Sequence, residues 1–585
     1  MDGKIRIRRG LREIHFECHW HVNYSTVGPS SSECWQSADI ILREISKSTD
    51  LQWSNGAEAN SLVFLGASAE DVKEVEPNEF GSLAAFNFIL KCLSAATSAC
   101  GDEVAAKLIM PRIQGHVVRS DIIPLRLADC LSVESVVSFS EPQQHFTGKP
   151  INANTFERLV EAFAASAAGI LVRSGTPIRD IKSDLLSIET ELDNRLSFPW
   201  LIEQQRPRQT LAMLRGGPHS PEHGGTGASI FTASKALDIE MIVLDSNGHW
   251  LEGPDYAHWR KAFIPIDMEH DDSLPRRIVD AIREYGKKID GIFTFSESYM
   301  VAVARAAEEL SLPTAPLGGY EIATDKYRTS IAEGHKAYRT SSVDEATDAV
   351  REANLSYPLI VKPCRGWSSE GVSRVRNAQG LSDAINAIDS KRHGKDFVIE
   401  EYCDGPEVDA NLVLHDGELL FFEVSDDFPK SADTNDSGSF IELANVLPSK
   451  LPTHELALLR DSLHQSLLRL GLNSGIFHLE ARVKDSAMEY VVENGTMDLS
   501  YRQTPPRAVP SAWLIEINPR PPGIQASDAV ASTYGIDYFG LGLLFALADK
   551  ERARALSHPF RSGPQYWCEI VFIPVEHGGV FDSNN

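Results

Sequence analysis

No stretch of this 585-residue chain stays apolar for the ~18 residues that a membrane-crossing helix needs. The start, Met1 to Glu13, is charged throughout and lacks the apolar core of a signal peptide. A surplus of positive charge is missing too, since 82 acidic residues against 56 Lys and Arg leave a net charge of −26. That argues against a surface for nucleic acid or an anionic membrane, because both need clustered Lys and Arg. It leaves room for a local basic pocket around a nucleotide. Cysteine is sparse, eight in all. The one cluster that suggests a metal, His15, Cys18, His19 and His21, matches no zinc spacing and no second ligand pair follows it. A strand or loop with scattered polar groups is the simpler reading. What remains is an ordinary soluble composition, 42% hydrophobic and 24% charged. The expectation is a cytoplasmic chain with reduced thiols.

At this length several domains are expected. Residues 1–205 mix strand-like runs such as Ser61 to Leu65 with helix-like ones, Ala84 to Ala99 and Thr155 to Ala168, and show no readable function. Arg206-Pro207-Arg208 suits a boundary. From there to residue 320 strands and helices alternate: Thr210 to Leu214, a Gly/Pro/His loop from Gly216 to Gly227, Ile239 to Asp245, a helix around Ile278, Gly291 to Phe295, and a helix from Val301 to Leu310. That order implies a parallel α/β sheet. Gly225-Thr226-Gly227, with Asp245 closing the next strand, imitates a dinucleotide fingerprint. Ile230 stands where the third glycine belongs, and the loop is too long for the tight turn, so NAD is not the expected ligand.

Residues 321–548 change pattern again, and 549–585 form a closing segment. Thr324 is placed to cap a helix carrying Asp325, Lys326, Tyr327 and Ile331. Tyr357 to Val361 is a buried strand that delivers Lys362, and Phe397 to Glu400 is another. Asn411 to Leu414 and Glu418 to Val424 pair across His415-Asp416-Gly417. Thr453 caps a long helix with a stripe of Leu456, Leu459, Leu463, Leu467 and Leu470, ended by Gly471.

Two acidic groups then carry the chemistry. Side chains alternate on a strand, so in Leu514-Ile515-Glu516-Ile517-Asn518-Pro519-Arg520 the side chains of Glu516 and Asn518 share one face. In Phe477-His478-Leu479-Glu480-Ala481-Arg482, Glu480 shares its face with His478 and Arg482. Three such oxygen ligands suit Mg²⁺, a hard cation that bridges phosphates. Lys362 is followed by Pro363 to Val372, a stretch whose small residues let backbone N–H groups approach phosphate. Alone, Lys362 reads equally as a lysine at a strand end before a surface turn. Glu400-Glu401-Tyr402-Cys403-Asp404-Gly405-Pro406-Glu407 can pair its backbone with an adenine edge, or be an acidic solvated turn.

Taken in order, Asp325-Lys326, Lys362-Pro363 with its loop, Glu400 to Cys403 with Gly405-Pro406-Glu407, His478-Leu479-Glu480 and Glu516 to Arg520 make the chain from about Arg208 onward resemble an ATP-grasp ligase. The Gly-Pro-Glu hinge is similar to that of D-alanine–D-alanine ligases. Gly471-Leu472-x-x-Gly475-x-x-His478-x-Glu480, and Phe440-Ile441-Glu442 followed by Pro448, look closer to L-amino-acid ligases and carnosine synthase. The resemblance implies an α/β chain with an N-terminal α/β region (1–205) and a Rossmann-like domain (206–320). An ATP-grasp fold of two α+β subdomains sandwiching ATP follows (321–548), completed by 549–585. It implies that Lys326 and Lys362 contact ATP phosphates, with Ser368, Ser369 and Gly371 in the loop closing over them. Glu400 and the Cys403 backbone would face adenine, and Glu407 the ribose. Glu480, Glu516 and Asn518 would hold two Mg²⁺, with Mn²⁺ able to substitute, and Arg520 would stabilise the transferring phosphoryl group. Glu297 and Glu442 are candidates for binding substrate, Glu297 through an amino group.

The implied reaction joins a small carboxylic acid or amino acid to an amine. A carboxylate is a poor acyl donor because its leaving group is an oxide, and attack on the γ-phosphate converts it to an acyl phosphate. That intermediate hydrolyses readily, so the Gly366 to Gly371 loop is expected to act as a lid. Two alternatives stand beside this one. A carboxylase activating bicarbonate would want a biotinyl-lysine motif of the Met-Lys-Met type, which is absent unless a partner supplies it. A non-catalytic ATP-binding regulatory module would show loss of a metal ligand or phosphate lysine, and neither is lost. The sequence departs from the family between Asp485 and Ala512, where Asn494-Gly495, Pro505, Pro506 and Pro510 read as an irregular excursion, and at Arg365 and Trp367, bulky for a phosphate loop. The first domain, the Gly216 to Gly227 loop and the stretch near Asp498 to Arg507 are expected to line the substrate pocket. Partners are the small-molecule acid and amine, with no nucleic acid and no membrane, and a homodimer is the default assembly.

Overall fold

The computed structural model describes residues 2–9, 12–23, 34–45, 61–65, 72–99, 102–151, 156–173, 180–225, 227–366, 369–434 and 439–573. The N-terminal region is built on an eight-stranded antiparallel sheet. Its order is Val72–Val75, Ser61–Leu65, Asp2–Arg9, Arg12–Asn23, Trp35–Glu44, Val104–Pro111, Ala168–Val172, Val133–Ser138. Alternation explains it: Ile5 and Ile7, then Ile14, Phe16, Cys18, Trp20 and Val22, all point into one core beneath helix Leu83–Ser98. Cys18 therefore faces inward, while His15, His19 and His21 lie on the opposite face, and the four do not converge on a metal. The helix read over Thr155 to Ala168 is Phe156–Ala165, followed at once by a strand.

Next come four parallel strands in the order Ala262–Pro265, Ile239–Asp245, Gln209–Leu214, Gly291–Phe293. Asp245 is turned onto its own domain, accepting the Gly216 N–H at 2.9 Å and the Ser246 N–H at 2.8 Å. A side chain at Gly225 would run into the His219 carbonyl, which accounts for that glycine without any phosphate.

Two further sheets face each other. The smaller has the order Ala337–Thr340, Phe397–Glu401, Leu359–Pro363, Ser373–Val375. The larger runs Ser511–Asn518, Gly475–Lys484, Glu407–His415, Glu418–Asp427, Ala444–Leu447, Cys568–Val571, antiparallel throughout. Leu459, Leu463 and Leu467 of helix Thr453–Arg469 cover one of its faces together with Leu412, Leu479 and Ile517. The other face is polar around Asp409, Glu480 and Glu516, where it forms the floor of a cleft, and apolar at Val413, Phe421 and Ile476, which join the core shared with the parallel-sheet domain.

Three local expectations need correction. Thr324 ends the helix Leu317–Ala323, and it is Asp325 that caps Lys326–Ala332, accepting the Arg328 N–H at 3.0 Å. Thr453 is the first helical residue, with Pro452 at the cap position. The excursion between Asp485 and Ala512 is not irregular throughout: Met488–Glu493 and Thr496–Tyr501 pair as a hairpin across Asn494-Gly495, both at positive φ, which is the turn such a dipeptide favours. Met488 and Leu499 anchor it in the same core as Leu459.

The N-terminal region is no loose appendage. Trp35, Ile188 and Trp200 share one buried core with Leu211 and Phe231 of the parallel-sheet domain and with Tyr538, Leu541 and Leu556 near the C-terminus. The buried Arg126 guanidinium lies over the Phe198 ring at 4.2 Å and the Phe560 ring at 4.9 Å, and Arg119 pairs with Asp537. Residue 205 thus marks a change of sheet rather than of core. Among the described residues no single helix is long and apolar enough to cross a membrane. A chain shortened to begin at residue 206 is expected to expose Leu211 and Tyr538 and to aggregate, or to melt without a cooperative transition. A monodisperse product with the full-length melting midpoint would contradict the shared core.

Candidate functional site

The floor of the cleft is organised in rows, because antiparallel register sets side chains of one parity directly opposite one another. Glu516 lies across from Glu480, and Glu480 from Asp409. Asn518, His478, Asn411 and Glu423 form the adjacent row, and Arg482, Glu407 and Asp427 the next. Above the floor stands the smaller sheet, and between them lies a cavity of about 520 Å³. Lys326, Lys362, Glu400, Cys403, Glu407, Glu442, Glu480, Glu516 and Arg520 all line it, as does Ser369. Gly371 is not among the lining residues, though its φ of 73° and that of 53° at Ser369 shape the turn beside it. Ser368 and Trp367 lie outside the described residues. Against expectation, the described residues of 1–205, of the loop 216–227 and of the stretch 498–507 line neither this cavity nor its neighbour.

At the lysine end, charge is balanced within the chain. Lys326 opens its helix, donates its backbone N–H to the Cys364 carbonyl at 2.9 Å, and pairs with Glu516. Burial pushes its ammonium pKa down, opposed by Glu480. Lys362 Nζ lies 2.6 Å from Glu400 and 3.4 Å from the Ile515 carbonyl, and Ser330 donates to Glu400 at 2.6 Å. The loop after Lys362 is held by Glu370, 2.9 Å from His393 and 3.0 Å from Arg392.

At the hinge end, both Glu407 oxygens have cationic partners: Lys430 at 2.7 Å on one, and Arg482 at 2.6 Å on the other. Burial opposes ionisation of Glu407, but Lys430 and Arg482 together hold its carboxyl below the usual range. Arg482 also reaches the Tyr402 hydroxyl at 2.8 Å, the Cys403 carbonyl at 3.1 Å and Asp433 at 2.7 Å. Arg374 stacks on Tyr402 with its guanidinium 4.0 Å from the ring centre. None of Lys430, Asp433 or Arg374 stood out in the sequence, since each lies on a segment remote from the acid it serves.

Asp409 was missed as well, although it falls two residues after Glu407 on the same strand face. Ligand atoms of Asp409, His478 and Glu480 all lie within 4.8 Å of one another. Burial, then Asp427 and Glu480, push the Asp409 carboxyl well up. So many hard oxygen donors with so few fixed cations among them suit a divalent metal ion. The neighbouring row sets the His478 ring. Asn411 donates to Glu423, which leaves its oxygen to accept from His478 Nδ1 at 3.0 Å, and the Tyr538 hydroxyl also donates to Glu423 at 3.2 Å. Burial and then Arg520 push His478 down to about 3, so the imidazole is neutral and presents Nε2 as an acceptor. Arg520 is braced by the Pro521 carbonyl at 2.9 Å and Asn518 at 3.1 Å, with Glu297 at 3.6 Å. Burial raises both Glu297 and Glu442, and Glu480 adds to the shift of Glu442.

Comparison with known proteins agrees with this architecture. Residues 231–314 match the ATP-grasp N-terminal domain, and residues 355–502 match the ATP-grasp domain. The chain is 48% identical over 503 residues to the ATP-grasp enzyme fsqD of Aspergillus fumigatus, spanning 83% of this chain and 87% of that protein. It is 25% identical to carnosine synthase 1 of Homo sapiens across 59% of this chain, but spans only 42% of that longer protein. Among solved structures, the L-amino acid ligase from Bacillus licheniformis superposes with a TM-score of 0.47 at 20% identity, covering 65% of this chain and 83% of that one.

The Glu423 carboxyl, pushed up to about 7 by burial, makes the site's scaffold pH-sensitive. A carboxyl whose folded pKa lies above its ordinary value contributes stability below that ordinary value and loses it as pH rises through the folded one. The shift corresponds to roughly 3 kcal/mol between acid and alkaline limits. Glu423→Gln removes the titration, so its melting midpoint relative to the unmodified chain is expected to rise between pH 5 and pH 8. A difference that stays constant over that range would show that Glu423 does not titrate there.

Proposed function

The chain belongs to the ATP-grasp family, and from that premise we propose that it is an ADP-forming ligase that joins a small carboxylic acid or amino acid to an amine. The observation that carries this reading is the facing of the Glu516–Glu480–Asp409 row by two lysines across one cavity, with Arg520 at its end. Two lysines and a row of carboxylates sharing one cleft support the reading of phosphate-binding cations beside metal-binding oxygens.

In this reading ATP enters with its adenine against the Glu400 to Cys403 hinge and its ribose beside Glu407, which Lys430 and Arg482 keep ionised as a hydrogen-bond acceptor. Lys326 and Lys362 exchange their carboxylate partners, Glu516 and Glu400, for phosphate oxygens. That exchange frees Glu516 to act with Glu480 and Asn518 as metal ligands, and Asp409 stands beside them. Mg²⁺, in two copies and replaceable by Mn²⁺, would supply neutralisation of charge on the phosphate oxygens. The acid's carboxylate oxygen attacks the γ-phosphorus, the bond to the β-phosphate oxygen breaks, and ADP leaves. Arg520 stabilises the resulting acyl phosphate, and Ser368, Ser369 and Gly371 lie in the loop that excludes water. The amine then attacks the carbonyl, phosphate departs, and the amide remains after loss of a proton. Glu297 and Glu442 would hold substrate groups, Glu297 an amino group, a reading supported by Glu442 lining the cleft and Glu297 lying 3.6 Å from Arg520.

Release of ADP and phosphate from Mg²⁺-ATP, screened against paired panels of acids and amines, tests the reading. Turnover is expected to need both substrates and to fall by roughly 100-fold or more in Glu516→Ala. Appearance of AMP in place of ADP would overturn the acyl-phosphate route.

A further inference from the structure

A second cavity, of about 390 Å³, lies between the parallel-sheet domain and the six-stranded sheet. Phe293, Phe295, Met300, Val303, Ile476 and Phe545 give it apolar walls. Arg520 lines both this cavity and the cleft described above, so the two are neighbours across that residue. Helix Glu297–Leu310 joins charge to greasy wall. Its first residue, Glu297, reaches Arg520 at 3.6 Å, and Met300, Val303 and Ala304 follow at helical spacing along the same side. Gly542 sits on the opposite wall, where a Cβ would stand 2.7 Å from the Phe295 ring, so any larger residue would force that ring to move. Polar groups also line it, Asn473 and the Lys550–Asp416 pair at 2.7 Å.

An α-amino acid matches this sequence of groups. Its carboxylate would meet Arg520, its ammonium Glu297, and its side chain the apolar walls beyond. A volume of this size is that of a small-molecule site rather than a packing defect. We propose that the cavity takes the side chain of the substrate whose carboxylate is activated, and that this substrate is an amino acid with a large apolar side chain. The proposal rests on the ligase reading and adds the substrate class to it.

Hydroxylamine in place of the natural amine makes the test independent of the unknown second substrate, because it displaces phosphate from an acyl phosphate to give a hydroxamate, read by the colour of its complex with added ferric iron. L-phenylalanine, L-methionine and L-leucine are expected to give kcat/KM at least about 10-fold above glycine and L-alanine. Val303→Phe, which fills the cavity, is expected to lower the ratio of L-phenylalanine to L-alanine by about 10-fold. Phe295→Ala, which enlarges it, is expected to shift preference toward L-tryptophan, and either variant suffices if the other fails to fold. Calorimetric binding of the same amino acids to full-length protein with Mg²⁺-ADP separates the two claims. Binding of L-phenylalanine that weakens in Val303→Phe, with no hydroxamate from any acid, would uphold the cavity and sink the ligase reading. Hydroxamate from small or polar acids, with no preference for large apolar ones, would sink the cavity proposal and leave the ligase standing.

Discussion

Like charges set side by side on adjacent strands are the constraint from which the rest of this molecule follows. Glu516, Glu480 and Asp409 occupy one cross-strand row, and Glu442 and Asp427 crowd the same floor. At a spacing of roughly 5 Å and an effective dielectric constant of about 20, each repulsion costs on the order of 3 kcal/mol. Fixed cations offset part of it: Lys326 at Glu516, and Lys430 between Glu407 and Asp427. Among the described residues the Asn445 amide donates to Asp409 at 3.0 Å, and burial, then the neighbouring Asp427, Glu480 and Glu442, push its carboxyl well up against the opposing charge of Lys430. In the proposed reading, a site left short of positive charge in this way would hold divalent metal ions, which bring what is missing.

Holding such a floor open needs a rigid backing. The leucine face of helix Thr453–Arg469 supplies it from behind, packing on Leu412, Leu479 and Ile517, while irregularities in the register next to Glu480 and Val413 interrupt the alternation. The lysines come from outside that sheet, on the helix capped by Asp325 and on the strand ending in Lys362. The two lysines and the Glu516–Glu480 pair therefore come from different elements that meet across the cleft, and in the proposed reading a nucleotide there would replace the Lys326–Glu516 pair with a bridged one. Tyr402, held between Arg374 and Arg482, ties the two sheets together at the hinge.

Much of this was legible from the chain alone, and the reason is periodicity. Period-two alternation exposes Glu516 with Asn518 and His478 with Glu480, and the strand–helix order of residues 209–310 implies a parallel sheet before any coordinates are seen. Asp409 escaped because its meaning depends on which strand lies beside it, a long-range fact; so did Lys430 and Arg374 as supports of Glu407 and Tyr402. The hairpin at Asn494-Gly495 had its turn signal in plain view, yet the prolines that follow at 505, 506 and 510 pointed toward irregularity and outweighed it. The helix start at Asp325 was one residue off because Thr and Asp are both good caps, and only the Arg328 N–H geometry chooses between them. The core shared by Trp35, Leu211 and Tyr538 joins segments hundreds of residues apart, which no local pattern reveals.

The central claim is that a substrate carboxylate becomes an acyl phosphate in this cleft, and oxygen transfer reports it directly. With ¹⁸O in both carboxylate oxygens of the acid, one labelled oxygen per turnover is predicted to appear in inorganic phosphate, with ADP as the nucleotide product. Label found in AMP, or amide formed while the phosphate stays unlabelled, would contradict the account.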